Sequence, residues 1–333
     1  MNPVLPLIAA ILAVAPALDA AEPFLKPNDV IALVGGEDMV AASEYGYLEL
    51  LLQRALPEYH LKVRSLAWEG DTVFEQPRDL NYPTLEAQLD EVGATVVIVQ
   101  FGQMESLAGT SKLPEFIKAY EKLIERVGAG KRRVVPIIPA LQGEAGTAYA
   151  EAIRSLQPAA MRAQPGGLTD ISPGLQPGVS GSKRMRPEGA PERSAAPAGA
   201  DAKTNDDPRV SPGANLRQPS GLETSRDGVH FSFAEHQRTA HAVAATLSGT
   251  SDDRGFIDEH LRQIIAAKNR LWFHYYRPQN WAFLAGDRTE QPSSRDWKDP
   301  SKRWFPEEMK QWLPLIDAKE KEIWALAAKA AKP

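Results

Sequence analysis

The sequence predicts an α/β protein: a three-layer α/β/α sandwich, flavodoxin-like, built on a parallel sheet of about five strands. Two observations carry this expectation. Between residues 30 and 138 short β-rich runs alternate with longer segments of helical spacing, and strands joined through helices run parallel with right-handed crossovers. The runs are apolar nearly throughout, as in strands covered on both faces. A chain of 333 residues that is 43% hydrophobic also has enough material for one core of about 200 residues plus an appendage.

The elements follow in order. Val30–Val34 reads as the first strand, and Met39–Leu56 as a helix with Tyr47, Leu48, Leu51 and Leu52 at helical spacing. Leu61–Ala67 is the second strand and Pro83–Val92 the next helix. Thr95–Gln100 is the most β-branched stretch of the chain, and Leu113–Val127 follows as an amphipathic helix. Val134–Ile138 is a fourth strand, and Leu168–Ser172 a candidate fifth. A sheet of this kind holds its site at the carboxyl ends of its strands.

Composition then changes. Residues 150–229 contain no Phe, Tyr or Trp, and ten of the 27 prolines fall between Pro158 and Pro219. Such a segment buries too little apolar area to offset its chain entropy, so 157–225 reads as a largely disordered insertion. Helical spacing resumes at Ala234–Leu247, Asp252–Tyr276 and Pro306–Ala330. Six of the seven tryptophans lie between Trp272 and Trp324, which sets 251–333 apart as a helical, aromatic-rich C-terminal extension. Its tryptophans, among them Trp272, Trp281, Trp297 and Trp304, have two readings: platforms for sugar rings, or anchors that fasten the tail across the domain.

Residues 1–21 read as a signal peptide, apolar over Val4–Leu18 and followed by small residues at Ala20 and Ala21. Export to the periplasm or the extracellular space is the expected fate, with no membrane span left after cleavage. The chain has no cysteine, which excludes disulfides, thiolate chemistry and Cys-ligated metal. A net charge of -5 with scattered basic residues gives no footprint for nucleic acid.

Four short blocks carry the candidate chemistry. The first strand ends in Gly35-Gly36-Glu37-Asp38, and a glycine follows the second in Trp68-Glu69-Gly70-Asp71. Phe101-Gly102-Gln103-Met104-Glu105 follows the third strand, and Asp227-Gly228-Val229-His230 opens the helix after the insertion. In these blocks the chain resembles the SGNH, or GDSL, hydrolases, and specifically a secreted branch common in planctomycete-type bacteria. The resemblance covers roughly residues 27–156 and 226–325, and gives an SGNH-like domain over 27–156 and 226–250. It implies an esterase or acylhydrolase acting on carbohydrate or acyl esters, with no cofactor and no metal.

Carried over residue by residue, the resemblance puts Glu37 where the family has its nucleophilic hydroxyl. Gly70, Gly102, Met104 and Glu105 fall in the oxyanion and binding blocks, and Asp227 and His230 in the place of the orienting acid and the general base. Met104 stands where an Asn would donate to the oxyanion, and a thioether cannot. The blocks therefore point to a catalytically impaired hydrolase or a binding pseudoenzyme that takes a carbohydrate or acyl-ester ligand. Two alternatives stand beside it: a hydrolase running on carboxylates such as Glu37 and Glu105, and a structural protein of the cell envelope.

Overall fold

The structure is a computed structural model and describes residues 24–78, 81–139, 141, 143–158, 229–250 and 258–331. The expected leader over 1–21, Leu168–Ser172, Asp227 and nearly all of the expected insertion over 157–225 lie outside the described residues. Four strands, β1 (Val30–Gly35), β2 (Lys62–Ser65), β3 (Val96–Gln100) and β4 (Arg133–Pro136), form one parallel sheet in the order β2-β1-β3-β4. In register, Leu33 lies beside Ser65 on one side and Ile98 on the other. The described sheet thus has four strands where about five were expected, since the candidate fifth falls outside the described residues.

Helices cover both faces. Where one helix was expected over Met39–Leu56 there are two, α1 (Glu37–Tyr45) and α2 (Tyr47–Ala55). Gly46 separates them with φ 73°, the left-handed conformation that closes a helix. It is needed for space as well, because a Cβ there would sit 3.0 Å from Ile265 Cγ2. On the other face lie α3 (Leu85–Glu91), α5 (Leu113–Gly128) and α6 (Gly143–Leu156), while the short α4 (Gln103–Ser106) follows β3.

The strand period of two sorts the core into layers. Ile31, Leu33, Ile98 and Val135 pack with Leu48, Leu52 and Leu247. Ala32, Val34, Val97 and Val99 point the other way, onto Phe116, Tyr120 and Ile153. The chain returns through α7 (Phe233–Ser248) on the α2 side, then α8 (Glu259–Tyr276) and the short α9 (Trp281–Leu284). The closing helix expected over Pro306–Ala330 is two, α10 (Trp304–Lys310) and α11 (Trp312–Ala330).

This C-terminal segment packs along the outer edge of β2. Residues 62 and 66 donate inward to β1, which leaves the carbonyls of 61, 63 and 65 facing out. Each finds a side-chain donor. Leu61 accepts from Gln53 Nε2 at 2.9 Å and Trp324 Nε1 at 3.0 Å, Val63 from Lys268 Nζ at 3.1 Å, and Ser65 from Trp272 Nε1 at 2.8 Å. Lys268 is fully buried and also pairs with buried Glu49 at 2.9 Å, beside an Arg64–Glu320 pair.

Removing Lys268 would leave Glu49 as an unpaired charge in the interior. Lys268→Met is expected to cost roughly 3–5 kcal/mol, whereas Trp324→Phe, which loses one neutral hydrogen bond to a carbonyl that keeps its second donor, should cost about 1 kcal/mol. Urea unfolding of the two variants against the parent checks the ranking.

Candidate functional site

The site grows from the close approach of two strand ends. At Gly35 a Cβ would lie 2.6 Å from Met39 Cγ and 2.7 Å from the Gln100 carbonyl. No larger residue lets β1 finish against β3 and turn at once into α1. Between these two strands the sheet order changes direction, the place where open α/β sheets bind ligands. An open cleft of about 300 Å³ lies there, with Glu37, Gly70, Gly102, Met104, Glu105 and His230 all on its walls. Asp227 lies outside the described residues.

Each of these is positioned differently. Glu37 is the first residue of α1, and its Oε2 stands 3.3 Å from His230 Nε2. Met104 is half exposed at the rim. Gly70 sits in the loop after β2, where the Trp68 ring is met by two guanidinium groups, Arg78 at 4.5 Å from its centre and Arg277 at 4.1 Å. Arg78 also grips buried Asp71 with two hydrogen bonds, at 2.7 and 2.9 Å. Glu105 is buried and faces the backbone. Its Oε1 accepts from Val73 N–H at 2.6 Å and its Oε2 from Gly102 N–H at 2.9 Å, so the N–H of Gly102 is directed at Glu105.

Ser43, the next serine along the chain after β1, lies in the last turn of α1. It borders a different cleft, and its carbonyl accepts from Asn269 at 2.8 Å. The tail tryptophans divide into two groups. Trp272 and Trp324 are tied to the β2 edge and Trp281 meets Tyr82 edge-on at 5.7 Å. Trp297 is 85% exposed and Trp304 52%.

Two residues beneath the cleft were not singled out from sequence. Asp38, 3% exposed, accepts from the Phe231 N–H at 3.1 Å and from Gln103 Nε2 at 2.8 Å. Gln103 Nε2 also donates to the Val229 carbonyl. Burial raises the Asp38 carboxyl to about 6, against the opposing pull of the Phe231 N–H, His230 and Gln103. The sequence offered little signal for it, since Asp38 reads there as one of two acids, with Glu37, in the first turn of a helix.

Among the described residues no group of three or more His, Cys, Asp or Glu is placed to hold a metal ion. No helix there is long and apolar enough to cross a membrane.

No protein-family model matches the chain, and no curated protein does. Solved structures give partial similarity. A gut microbial diltiazem-metabolizing enzyme matches with a TM-score of 0.30 and 18% identity, over 41% of this chain and 34% of that one. A family two carbohydrate esterase from Clostridium thermocellum, in complex with cellohexaose, matches with a TM-score of 0.29 and 17% identity, over 39% of this chain and 50% of the esterase. An active-site mutant of a family two carbohydrate esterase from the same organism matches with a TM-score of 0.30 and 17% identity. The chain spans a third to a half of the length of these proteins. Similarity this partial says nothing of activity.

Because the Asp38 carboxyl is raised in the folded chain, it favours folding below the unfolded value and loses that preference as the pH rises through about 6. Asp38→Asn does not titrate. Its unfolding free energy relative to the parent should therefore climb by up to about 3 kcal/mol between pH 4 and pH 7, as urea melts at a series of pH values would read.

Proposed function

We propose that the protein is an exported, SGNH-like binding protein, a hydrolase scaffold that receives a carbohydrate or acyl-ester ligand at the Glu37–His230 cleft without turning it over by the serine route. The observation that carries this reading is the 3.3 Å contact between Glu37 Oε2 and His230 Nε2. A carboxylate beside the imidazole supports reading Glu37 as the residue in the place of such a hydrolase's nucleophilic hydroxyl.

The chemistry follows from that exchange. A hydroxyl gives up its proton to the imidazole and forms an ester with the acyl group, which water then opens. A carboxylate has no proton to give, and its acyl product is an anhydride of much higher energy. Met104 offers no donor to a developing oxyanion at the rim, and loss of one such donor costs roughly 10² to 10³ in other hydrolases. What remains suits binding. Glu37 and His230 present an acceptor and a ring nitrogen to ligand hydroxyls, and the Gly70 loop forms the facing wall.

Rebuilding the site tests the reading. The parent should hydrolyse short p-nitrophenyl esters no faster than its His230→Ala variant. Glu37→Ser with Met104→Asn should raise the rate by roughly 10² or more, Glu37→Ser alone should do less, and Met104→Asn alone nothing. Adding His230→Ala should abolish the gain. A parent rate tens of times above the His230→Ala variant would overturn the binding reading, and a folded but inert double variant would remove the assignment of Glu37 to the nucleophile's place.

A further inference from the structure

The segment that carries His230 is held from below by two side chains that come from two different strand ends. Asp38 belongs to the first turn of α1, at the end of β1. Gln103 opens α4, at the end of β3. The Phe231 N–H, on one side of His230, donates to Asp38 Oδ1 at 3.1 Å. The Val229 carbonyl, on the other side, accepts from Gln103 Nε2, and that same nitrogen donates to Asp38 Oδ2 at 2.8 Å. Both backbone neighbours of His230 are thereby fixed to one buried carboxylate–amide pair. Only the torsions of the imidazole itself remain to be set, and Glu37 meets that ring directly.

We propose that Asp38 and Gln103 form a clasp that places the imidazole of His230 over Glu37, which makes Asp38 a positioning residue of this cleft. Packing alone does not account for it, because its burial costs more than its hydrogen bonds return. A carboxylate kept in the interior at a net cost is held there for its geometry. Ionised, it accepts from the Phe231 and Gln103 donors together. Protonated, it is a weaker acceptor for both donors, because a hydrogen bond to a neutral oxygen has roughly half the strength of one to a carboxylate. The titratable groups facing it are Glu37 and His230 on the cleft side and, from α7, His236, whose Nε2 is 3.7 Å from Asp38 Oδ1. The clasp is therefore closed at neutral pH and loosens in acid.

The inference rests on the Glu37–His230 cleft being the binding site, but its test reads the backbone and needs no activity. In the full-length ¹⁵N-labelled protein, the Phe231 amide proton should move downfield as the pH rises, with a midpoint of about 6. The step should persist in His236→Asn and vanish in Asp38→Asn. At pH 7, amide exchange over residues 229–231 should quicken by about tenfold or more in both Asp38→Asn and Gln103→Leu while β1 exchanges as in the parent, because only a local opening is released. A Phe231 amide that is flat between pH 4 and 8 in the parent, or exchange at 229–231 that rises only in step with β1, would overturn the clasp. If restored esterase activity fails while these shifts appear, the functional reading falls and the clasp stands. If the activity is restored and the shifts are absent, the reverse holds.

Discussion

The outer edge of β2 is the constraint on which the architecture depends. A parallel sheet exposes a row of carbonyls at each edge, and an uncovered edge invites pairing with other chains. Here another strand is not the cover. The indole groups of Trp272 and Trp324, the Lys268 ammonium and the Gln53 amide each supply one donor to a carbonyl at 61, 63 or 65. Lys268 makes this possible only because Glu49 meets it inside the protein. Burial works against the charge on both, raising the Glu49 carboxyl and lowering the Lys268 ammonium, while each partly restores the other. Such a pair contributes less to net stability than to fixing one arrangement: α8 cannot slide along β2 without separating the charges.

The strands were legible because burial on both faces leaves an unbroken apolar run, and Val30–Val34, Leu61–Ala67, Thr95–Gln100 and Val134–Ile138 overlap the four observed strands. Helix interruptions were less legible. Spacing is nearly continuous through Met39–Leu56, and the break at Gly46 answers a tertiary demand, the approach of Ile265 from more than 200 positions away. At Gln311, where Trp304–Lys310 and Trp312–Ala330 separate, the chain does carry the signal: Pro314, in the first turn of the second helix, has no N–H to give the Lys310 carbonyl and its ring crowds that oxygen. Gly143–Leu156 was not anticipated: it opens on Gly143 with a second glycine in its first turns, and it runs up to the aromatic-free, proline-rich stretch where the reading of regular structure stopped.

At the site, the walls of the cleft were legible and its underside was not. Six residues expected from the four blocks line one cleft, since each block ends a strand or opens a helix and the sheet gathers those points. Spacing could not say what each does there. Glu105 spends both oxygens on backbone N–H groups, so its acid serves the turn after β3. Asp38 reads in sequence as one of two acids in a helix's first turn, where negative charge is ordinarily a surface matter, and only the approach of Phe231 and Gln103 makes it an interior residue.

The capping of β2 also has a consequence in time. The bond from Lys268 to Val63 spans 205 positions and that from Trp324 to Leu61 spans 263. At a synthesis rate of roughly 5–20 residues per second, β2 leaves the ribosome on the order of ten seconds or more before its cover exists. During that interval the sheet can assemble around β1 and β3 while one edge stays open, and the long loops that must close make the last step a slow one. Until the tail arrives, Gln53 is the one donor of this set already in the chain, and the carbonyls of 63 and 65 have only water to meet them.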